Sequence, residues 1–170
     1  MHSACQYGHT AVVSLLLSQG ADPFIRNIRL ETSLDLAAQY GRLETIELLL
    51  RMRFDLLKDY LPLNKELSSS LRPHRHLLRH SPLHLASRNG HKSVVKLLLD
   101  LGFDVDFLTS NGTALHEAVL CGKVEVVRLL LDSGTDLFAE NDKGQKVEEL
   151  LSGLNTSVAK QTKQLIQGKF

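Results

Sequence analysis

Histidines and cysteines are the residues of this chain that could bind a metal. The 170-residue chain has eight histidines and two cysteines. Zinc sites in proteins are completed by four ligands, usually cysteine or histidine, with some carboxylates. His74, His76 and His80 are the histidines that cluster in sequence, but no cysteine or carboxylate is spaced to complete a site with them. Three arginines interleave with these histidines and oppose the binding of a cation: Arg72, Arg75 and Arg79. The sequence therefore predicts no metal site.

Catalytic nucleophiles are also missing from the sequence. It contains no G-x-S-x-G turn that would expose a serine above a strand. Neither Cys5 nor Cys121 stands at a spacing that implies a base beside it. The glycines do not gather into a loop that could cradle a phosphate. We expect no enzymatic activity, no catalytic residue and no cofactor.

The charge balance and hydropathy of the chain narrow the class of partner. Twenty lysines and arginines face 19 acidic residues, which leaves no electrostatic signature for binding nucleic acid. No apolar run approaches the ~18 residues that would indicate a membrane span, and the start does not resemble a signal peptide. Two cysteines make a disulfide framework improbable and favour a reducing compartment. A monomeric, cytoplasmic protein that binds other proteins is the expectation.

One short pattern, present in four copies, must position all of these side chains. The copies begin near His2, Thr32, Ser81 and Thr113. In each copy, six residues separate the glycine from a run of three leucines. The period is about 33 residues, as in repeats of two helices, except that an additional stretch separates the second copy from the third.

The repeated pattern, close to T-P-L-H-x-A, resembles the ankyrin repeat. The resemblance implies an all-α fold, an α-solenoid of stacked helix-turn-helix units joined by hairpin loops. The hydroxyls of Thr32, Ser81 and Thr113 are predicted to cap the first helices. His84 and His116 each stand three residues after such a hydroxyl, so we interpret them as structural histidines.

A narrower resemblance concerns the last full repeat. Its shortened turn, N-G-T-A-L-H-E-A from Asn111 to Ala118, is similar to the ankyrin segment of Caskin-type scaffolds and of the related Odin-like proteins. The closing residues 159–166 are similar to the final helix of the Caskin segment. The resemblance implies a signalling scaffold or adaptor. Two other functions stay open: an inhibitor that docks onto a kinase or another enzyme, and a regulatory repeat segment whose catalytic domain lies elsewhere.

The pattern divides the chain as a single domain, residues 1–170. Met1 falls at the leucine position of the motif, so the first repeat is expected to be truncated, with further repeats upstream. Residues 58–79 interrupt the periodicity and are predicted to be an irregular, exposed insertion. The predicted repeats are 1–26, 27–57, 80–107 and 108–139, followed by a C-terminal cap over 140–170.

A partner-binding surface is predicted where the first helices of the repeats end. In a solenoid of this kind, the residues just before the glycine between the two helices face a concave groove. Tyrosines at two of these positions favour binding, because tyrosine is enriched among the residues that dominate interfaces. The basic residues Arg72, Arg75 and Arg79 of the insertion offer a second contact, for an acidic or phosphorylated partner. The predicted groove residues are Gln6, Tyr7, Gln39, Tyr40, Arg88, Asn89, Leu120 and Cys121.

Overall fold

The described part of the chain is almost entirely helical. The computed structural model describes residues 1–58, 60–61, 80–154 and 156–168, which contain ten α-helices and one 3₁₀ helix. β-structure in these ranges is limited to a single bridge between Thr109 and Gly112. The all-α expectation is therefore confirmed. The α-helices are α1 (His2–Tyr7), α2 (Thr10–Ser18), α3 (Ser33–Gln39), α4 (Leu43–Met52), α5 (Pro82–Asn89), α6 (Lys92–Asp100), α7 (Ala114–Leu120), α8 (Val124–Asp132), α9 (Val147–Ser152) and α10 (Ser157–Gln167).

The helices form antiparallel pairs that stack into two layers. The first helices of the pairs, α1, α3, α5, α7 and α9, pack on one another in chain order, and the second helices form the other layer. Leu34, Leu83 and Leu115 of the first layer are at most 1% exposed, so the stack shares one apolar core. Each unit buries its apolar stripe only against its neighbours, as in a solenoid.

Two of the three predicted hydroxyl caps, Thr32 and Ser81, bond to the backbone of their helices, whereas the Thr113 hydroxyl lies 3.0 Å from Nδ1 of His116. The Thr32 hydroxyl accepts a hydrogen bond from the backbone N–H of Asp35 at 3.2 Å, which satisfies a donor at the start of α3. Gly90 ends α5 with φ 82°, a left-handed conformation that a side chain would penalise. Nine glycines of the described residues have positive φ and recur at equivalent turns of the repeats: Gly8, Gly20, Gly41, Gly90, Gly102, Gly112, Gly122, Gly134 and Gly144.

The motif histidines join each first helix to the hairpin of the next repeat. His84 Nε2 donates to the carbonyl oxygen of Gly112 at 2.9 Å, while its Nδ1 lies 2.8 Å from the Ser81 hydroxyl. His116 Nε2 donates in the same way to the carbonyl of Gln145 at 3.2 Å. Burial lowers the pKa of His84 to about 4, so the ring is neutral at pH 7. The structural interpretation of these two histidines is confirmed.

Asp35 occupies the motif-histidine position of the second repeat and, among the described residues, its side chain bonds to Thr32 of the same repeat. Its side chain is buried, and Oδ2 accepts hydrogen bonds from the backbone N–H of Thr32 at 2.8 Å and from the Thr32 hydroxyl at 2.9 Å. Within the described ranges, no donor lies within hydrogen-bond distance of Oδ1. Burial raises the pKa of the Asp35 carboxyl, because a buried carboxylate loses its hydration.

Tyr60, which lies within the predicted insertion 58–79, packs on the core. The 3₁₀ helix Phe54–Leu57 follows α4 and buries Leu56 and Leu57. Tyr60 was expected in the exposed insertion, but it is 5% exposed and stacks on Phe103 with ring centroids 5.1 Å apart. The expectation was wrong for Tyr60 because the stacking partner lies in the following repeat, outside any local pattern. The rest of the insertion, 62–79, lies outside the described residues.

The first helix pair exposes apolar side chains that its counterparts bury. Val12 is 48% exposed, whereas Thr45 at the equivalent position of α4 is 1% exposed. Leu15 is 61% exposed, whereas the equivalent Leu48 is 7% exposed. The difference arises because α4 packs against α2 on one side and against α6 on the other. The described residues cover α2 on the α4 side only.

Candidate interaction surface

The ends of the first helices present the eight predicted groove residues in a row. All eight are exposed or half-exposed, and they fall at the ends of α1, α3, α5 and α7, which pack consecutively. Tyr7 and Tyr40 are 61% and 40% exposed, and Leu120 is 47% exposed. Large apolar or aromatic groups left in contact with water at equivalent places in successive repeats are a candidate contact surface for a partner.

Two adjoining cavities lie between these helix ends and the hairpins. The larger, of about 700 Å³, is lined by Gln39, Arg88 and Asn89 from the helices and by Ile28 and Arg29 from a hairpin. The smaller, of about 270 Å³, is lined by residues that include Arg88, Leu120, Cys121 and Lys143. Both cavities share Arg88, so we call them together the Arg88 groove. The structure thus brings five of the eight predicted residues together: Gln39, Arg88, Asn89, Leu120 and Cys121.

The other three predicted residues lie elsewhere along the row. Tyr7 lines a separate cavity of about 290 Å³ with Arg42 and Glu44. Gln6 contributes its backbone carbonyl, which accepts a hydrogen bond from Nε of Arg42 at 2.9 Å. Tyr40 is exposed and lines none of these three cavities. The predicted set is therefore split between the Arg88 groove and the first two repeats.

Two carboxylates that the sequence analysis did not single out are buried in the lining of the Arg88 groove. Glu117 is 6% exposed, and its Oε1 accepts a hydrogen bond from Nδ2 of Asn111 at 2.9 Å. Arg88 Nε lies 3.9 Å from Oε2 of Glu117. Glu31 is 5% exposed, and its Oε2 accepts a hydrogen bond from Nδ2 of Asn27 at 2.8 Å. A sequence signal was available, because an asparagine precedes each of these acids in the hairpin.

Asn27 also shapes the hairpin that borders the Arg88 groove. Oδ1 of Asn27 accepts hydrogen bonds from the backbone N–H groups of Arg29 and Glu31, at 2.8 and 3.0 Å. These bonds hold a tight turn in which Leu30 has φ 64°, a conformation that is costly for leucine. The turn leaves Ile28 fully exposed, at 101%, at the edge of the larger cavity.

Two polar side chains that follow inter-helix glycines, Arg42 and His91, each bond to the rim of the preceding repeat. His91 Nε2 donates to the carbonyl oxygen of Gln39 at 2.9 Å, across the insertion. Arg42 makes the corresponding bond to Gln6. The recurrence of a long polar residue at this position, Arg42, His91 and Lys123, was the signal that sequence reasoning missed. These contacts fix the spacing of the exposed residues on the rim.

The described residues also show where the histidines, cysteines and acids stand with respect to metal binding and thiol chemistry. Within the described ranges, no group of three or more histidine, cysteine or acidic side chains could hold a metal ion. Both cysteines are free thiols; burial raises the pKa of Cys5 to about 11, while Cys121 is exposed. No helix in those ranges is long and apolar enough to cross a membrane. The predicted basic contact of Arg72, Arg75 and Arg79 lies outside the described residues.

Comparison with known protein families identifies the repeat. A family model for ankyrin repeats in three copies matches residues 54–141, and a model for ankyrin repeats in many copies matches residues 1–50.

Curated relatives share the same repeats within longer proteins. The E3 ubiquitin-protein ligase XBAT33 of Arabidopsis thaliana is 33% identical over 112 residues, which cover 65% of this chain and 18% of the ligase. Human NF-kappa-B inhibitor alpha is 31% identical over 113 residues, covering 62% of this chain and 30% of the inhibitor. Human transient receptor potential cation channel subfamily A member 1 is 35% identical over 120 residues, covering 69% of this chain and 9% of the channel subunit. The chain thus spans less than a third of each of these relatives.

Proposed function

The chain belongs to the ankyrin-repeat family, and we propose that it is a non-catalytic module that binds a protein partner through the Arg88 groove. The observation that carries the proposal is the groove itself. It combines a concave volume of about 700 Å³ with exposed arginine, asparagine and apolar side chains on consecutive helix ends. The motif histidines are buried and bonded within the fold, so the surface residues are those left to bind. Tyr7 and Tyr40 extend the same surface toward the first repeat.

We assign the module to a monomeric, cytoplasmic signalling scaffold or adaptor. The support for a scaffold is the resemblance of residues 111–118 and 159–166 to Caskin-type proteins. The near balance of 20 basic and 19 acidic residues agrees with a protein partner rather than nucleic acid. Light scattering coupled to size-exclusion chromatography tests the monomer, and imaging of the tagged full-length protein tests the compartment.

An inhibitor is the second candidate function, favoured by the similarity to human NF-kappa-B inhibitor alpha over 62% of the chain. A regulatory segment of an enzyme is the third, favoured by the similarity to the ligase XBAT33, of which the chain matches 18%. The full-length gene separates these candidates from the scaffold. SH3 or SAM modules indicate a scaffold, a catalytic domain indicates a regulatory segment, and repeats alone indicate an inhibitor.

The test of the binding surface compares two double variants in affinity purification with quantitative mass spectrometry. Tyr40→Ala/Arg88→Ala removes two exposed groups from the helix ends. Lys96→Ala/Arg128→Ala is the matched control, because both residues are exposed on the second helices, α6 and α8. We expect the first variant to lose partners that the wild type and the control retain, with circular dichroism showing that all three are folded. Retention of every partner by the folded first variant would refute the assignment.

A further inference from the structure

The residues that line the Arg88 groove indicate the chemistry of its partner. We propose that the groove selects an acidic protein segment that carries at least one large apolar side chain. This inference rests on the proposed function and adds the class of ligand to it.

Charge is the first argument. Arg29 and Arg88 line the larger cavity and Lys143 lines the smaller, and all three side chains are exposed. The acids of both linings are Glu31 and Glu117, which are 5% and 6% exposed. Within the described lining, the charge that a ligand meets is therefore positive, although the whole chain is almost neutral. Such a cleft attracts carboxylates and repels basic segments.

Hydrogen bonds within the protein hold the two buried carboxylates, so the exposed charge of the groove stays positive. Asn27 and Asn111 donate hydrogen bonds to the two carboxylates, which keeps those oxygens directed into the protein. Arg88 approaches Glu117 at 3.9 Å but its side chain is still 58% exposed. A planar guanidinium offers five N–H donors, so Arg88 retains donors for a carboxylate of a bound segment.

Apolar groups and an unused acceptor complete the site. Ile28 at the larger cavity is 101% exposed and Leu120 at the smaller is 47% exposed, so a bound apolar side chain would cover surface that water now contacts. The side-chain oxygen of Gln39 is buried in the larger cavity wall, and no described residue donates to it. Rotation of the half-buried Gln39 side chain would let this oxygen accept a backbone N–H of a bound peptide. Cations, apolar contacts and an amide acceptor together fit a polypeptide segment.

Selection from a phage-displayed random peptide library, with the full chain as bait, tests the chemistry directly. We expect the enriched peptides to combine aspartate or glutamate with leucine, isoleucine or phenylalanine. An enriched peptide is then synthesised with and without its acids replaced by their amides. Fluorescence polarisation should show binding about tenfold weaker for the amide form, because the amides cannot form ion pairs with the exposed cations of the groove.

Charge-reversal variants of the protein test whether the acidic peptide binds in the Arg88 groove. Arg29→Glu/Lys143→Glu reverses two exposed groove charges and should weaken the acidic peptide by about tenfold or more. Lys96→Glu/Arg128→Glu makes the same change in net charge on the second helices and should leave the affinity within about twofold. Circular dichroism confirms that both variants are folded. Equal weakening by the two variants would show a general charge effect and overturn the inference.

The outcomes separate this inference from the proposed function. Peptides that lack acids but lose binding on Tyr40→Ala/Arg88→Ala would overturn the acidic ligand and leave the groove as a binding surface. Peptides that respond to neither set of groove variants would overturn both. A labelled single-stranded oligonucleotide that binds as tightly as the acidic peptide, with the same loss on Arg29→Glu/Lys143→Glu, would show a polyanion site instead of a peptide site.

Discussion

The imidazole ring of His91 lies so close to Gly41 that a methyl group on Gly41 would stand 2.6 Å from Nδ1 of the ring. The other ring nitrogen of His91 donates to the carbonyl of Gln39, two residues before that glycine. Arg42 repeats the arrangement over Gly8 in the first repeat, with Cδ 3.0 Å from the position of such a methyl group. The glycine therefore gives the next repeat room to reach the end of the first helix.

Gly41→Ala tests this packing. The alanine would have to adopt φ near 68° and would clash with His91. The left-handed conformation costs about 1–2 kcal/mol, and the clash adds about 1–3 kcal/mol. We expect the free energy of unfolding, measured by urea denaturation, to fall by roughly 2–5 kcal/mol.

Gly20→Ala is the matched control for that variant. Gly20 has φ 79°, but nothing lies within 4 Å of the position of an added methyl group. Its substitution should lower the free energy of unfolding only by the cost of the left-handed backbone conformation, about 1–2 kcal/mol. Equal losses for the two variants would mean that the ring of His91 moves aside without cost.

His84 should make stability depend on pH below neutrality. The folded state holds its pKa at about 4, against an ordinary value of 6.5, so the unfolded chain binds more protons between these values. The contribution of His84 to the free energy of unfolding is therefore fully present above about pH 6.5 and falls as the pH drops toward 4. A complete shift of this size corresponds to about 3 kcal/mol. Urea denaturation at pH 7, 5.5 and 4 measures it.

His84→Gln separates this effect from the titration of other groups. The variant should be less stable at pH 7, because one amide cannot replace a ring that contacts both the Ser81 hydroxyl and the Gly112 carbonyl, yet it should lose less stability on acidification. Burial also lowers the pKa of His116, so part of the pH dependence should persist. Parallel pH profiles for wild type and variant would contradict the prediction.

Asp35→Asn is expected to stabilise the protein at pH 7. The pKa of Asp35 is raised by burial, so the protonated carboxyl favours the folded state at low pH, and this contribution is lost as the pH rises through the folded pKa. An amide keeps an oxygen that can accept the two bonds from Thr32 and carries no charge, a change on the order of 1 kcal/mol. Thermal unfolding across pH should show the advantage shrinking as the pH falls. Asp142→Asn, at an exposed position, should show no such trend.

Leu30→Gly should relieve the left-handed turn beside the Arg88 groove. Leu30 has φ 64° and a side chain that is 58% exposed, so little packing is lost with it. The expected gain is about 1 kcal/mol, set by the conformational cost of the leucine minus the entropy of glycine. Leu30→Ala keeps the unfavourable φ and should be close to neutral. A loss of stability in the glycine variant would show that the leucine side chain supports the hairpin.

The helical architecture was predictable because its determinants are local. Gly90 and the eight other turn glycines mark positions where the backbone has positive φ. Glycine is the residue that adopts this conformation most readily, so its position in the sequence predicts the turn. Thr32 and Ser81 cap helices through bonds to residues three positions away. Periodic leucines then fix which side of each helix is buried.

Contacts between repeats were less accessible to sequence reasoning. Tyr60 stacks on Phe103, and His91 reaches Gln39, across distances that depend on how the chain passes the insertion. Burial of Glu117 likewise depends on the approach of Asn111 from the hairpin, and charge counting along the sequence treats this acid as exposed. The positive character of the Arg88 groove therefore emerges only in three dimensions. Whether Tyr7, Tyr40 and their neighbours bind a partner stays a prediction.

The unequal surroundings of the two cysteines give the native protein a single accessible thiol beside the groove. Cys5 is fully buried and its pKa is raised to about 11, so it resists alkylation at neutral pH. Cys121 is exposed and lines the smaller cavity. A maleimide dye would therefore label one site without mutagenesis, and a photoreactive reagent on the same sulfur would crosslink whatever occupies the groove.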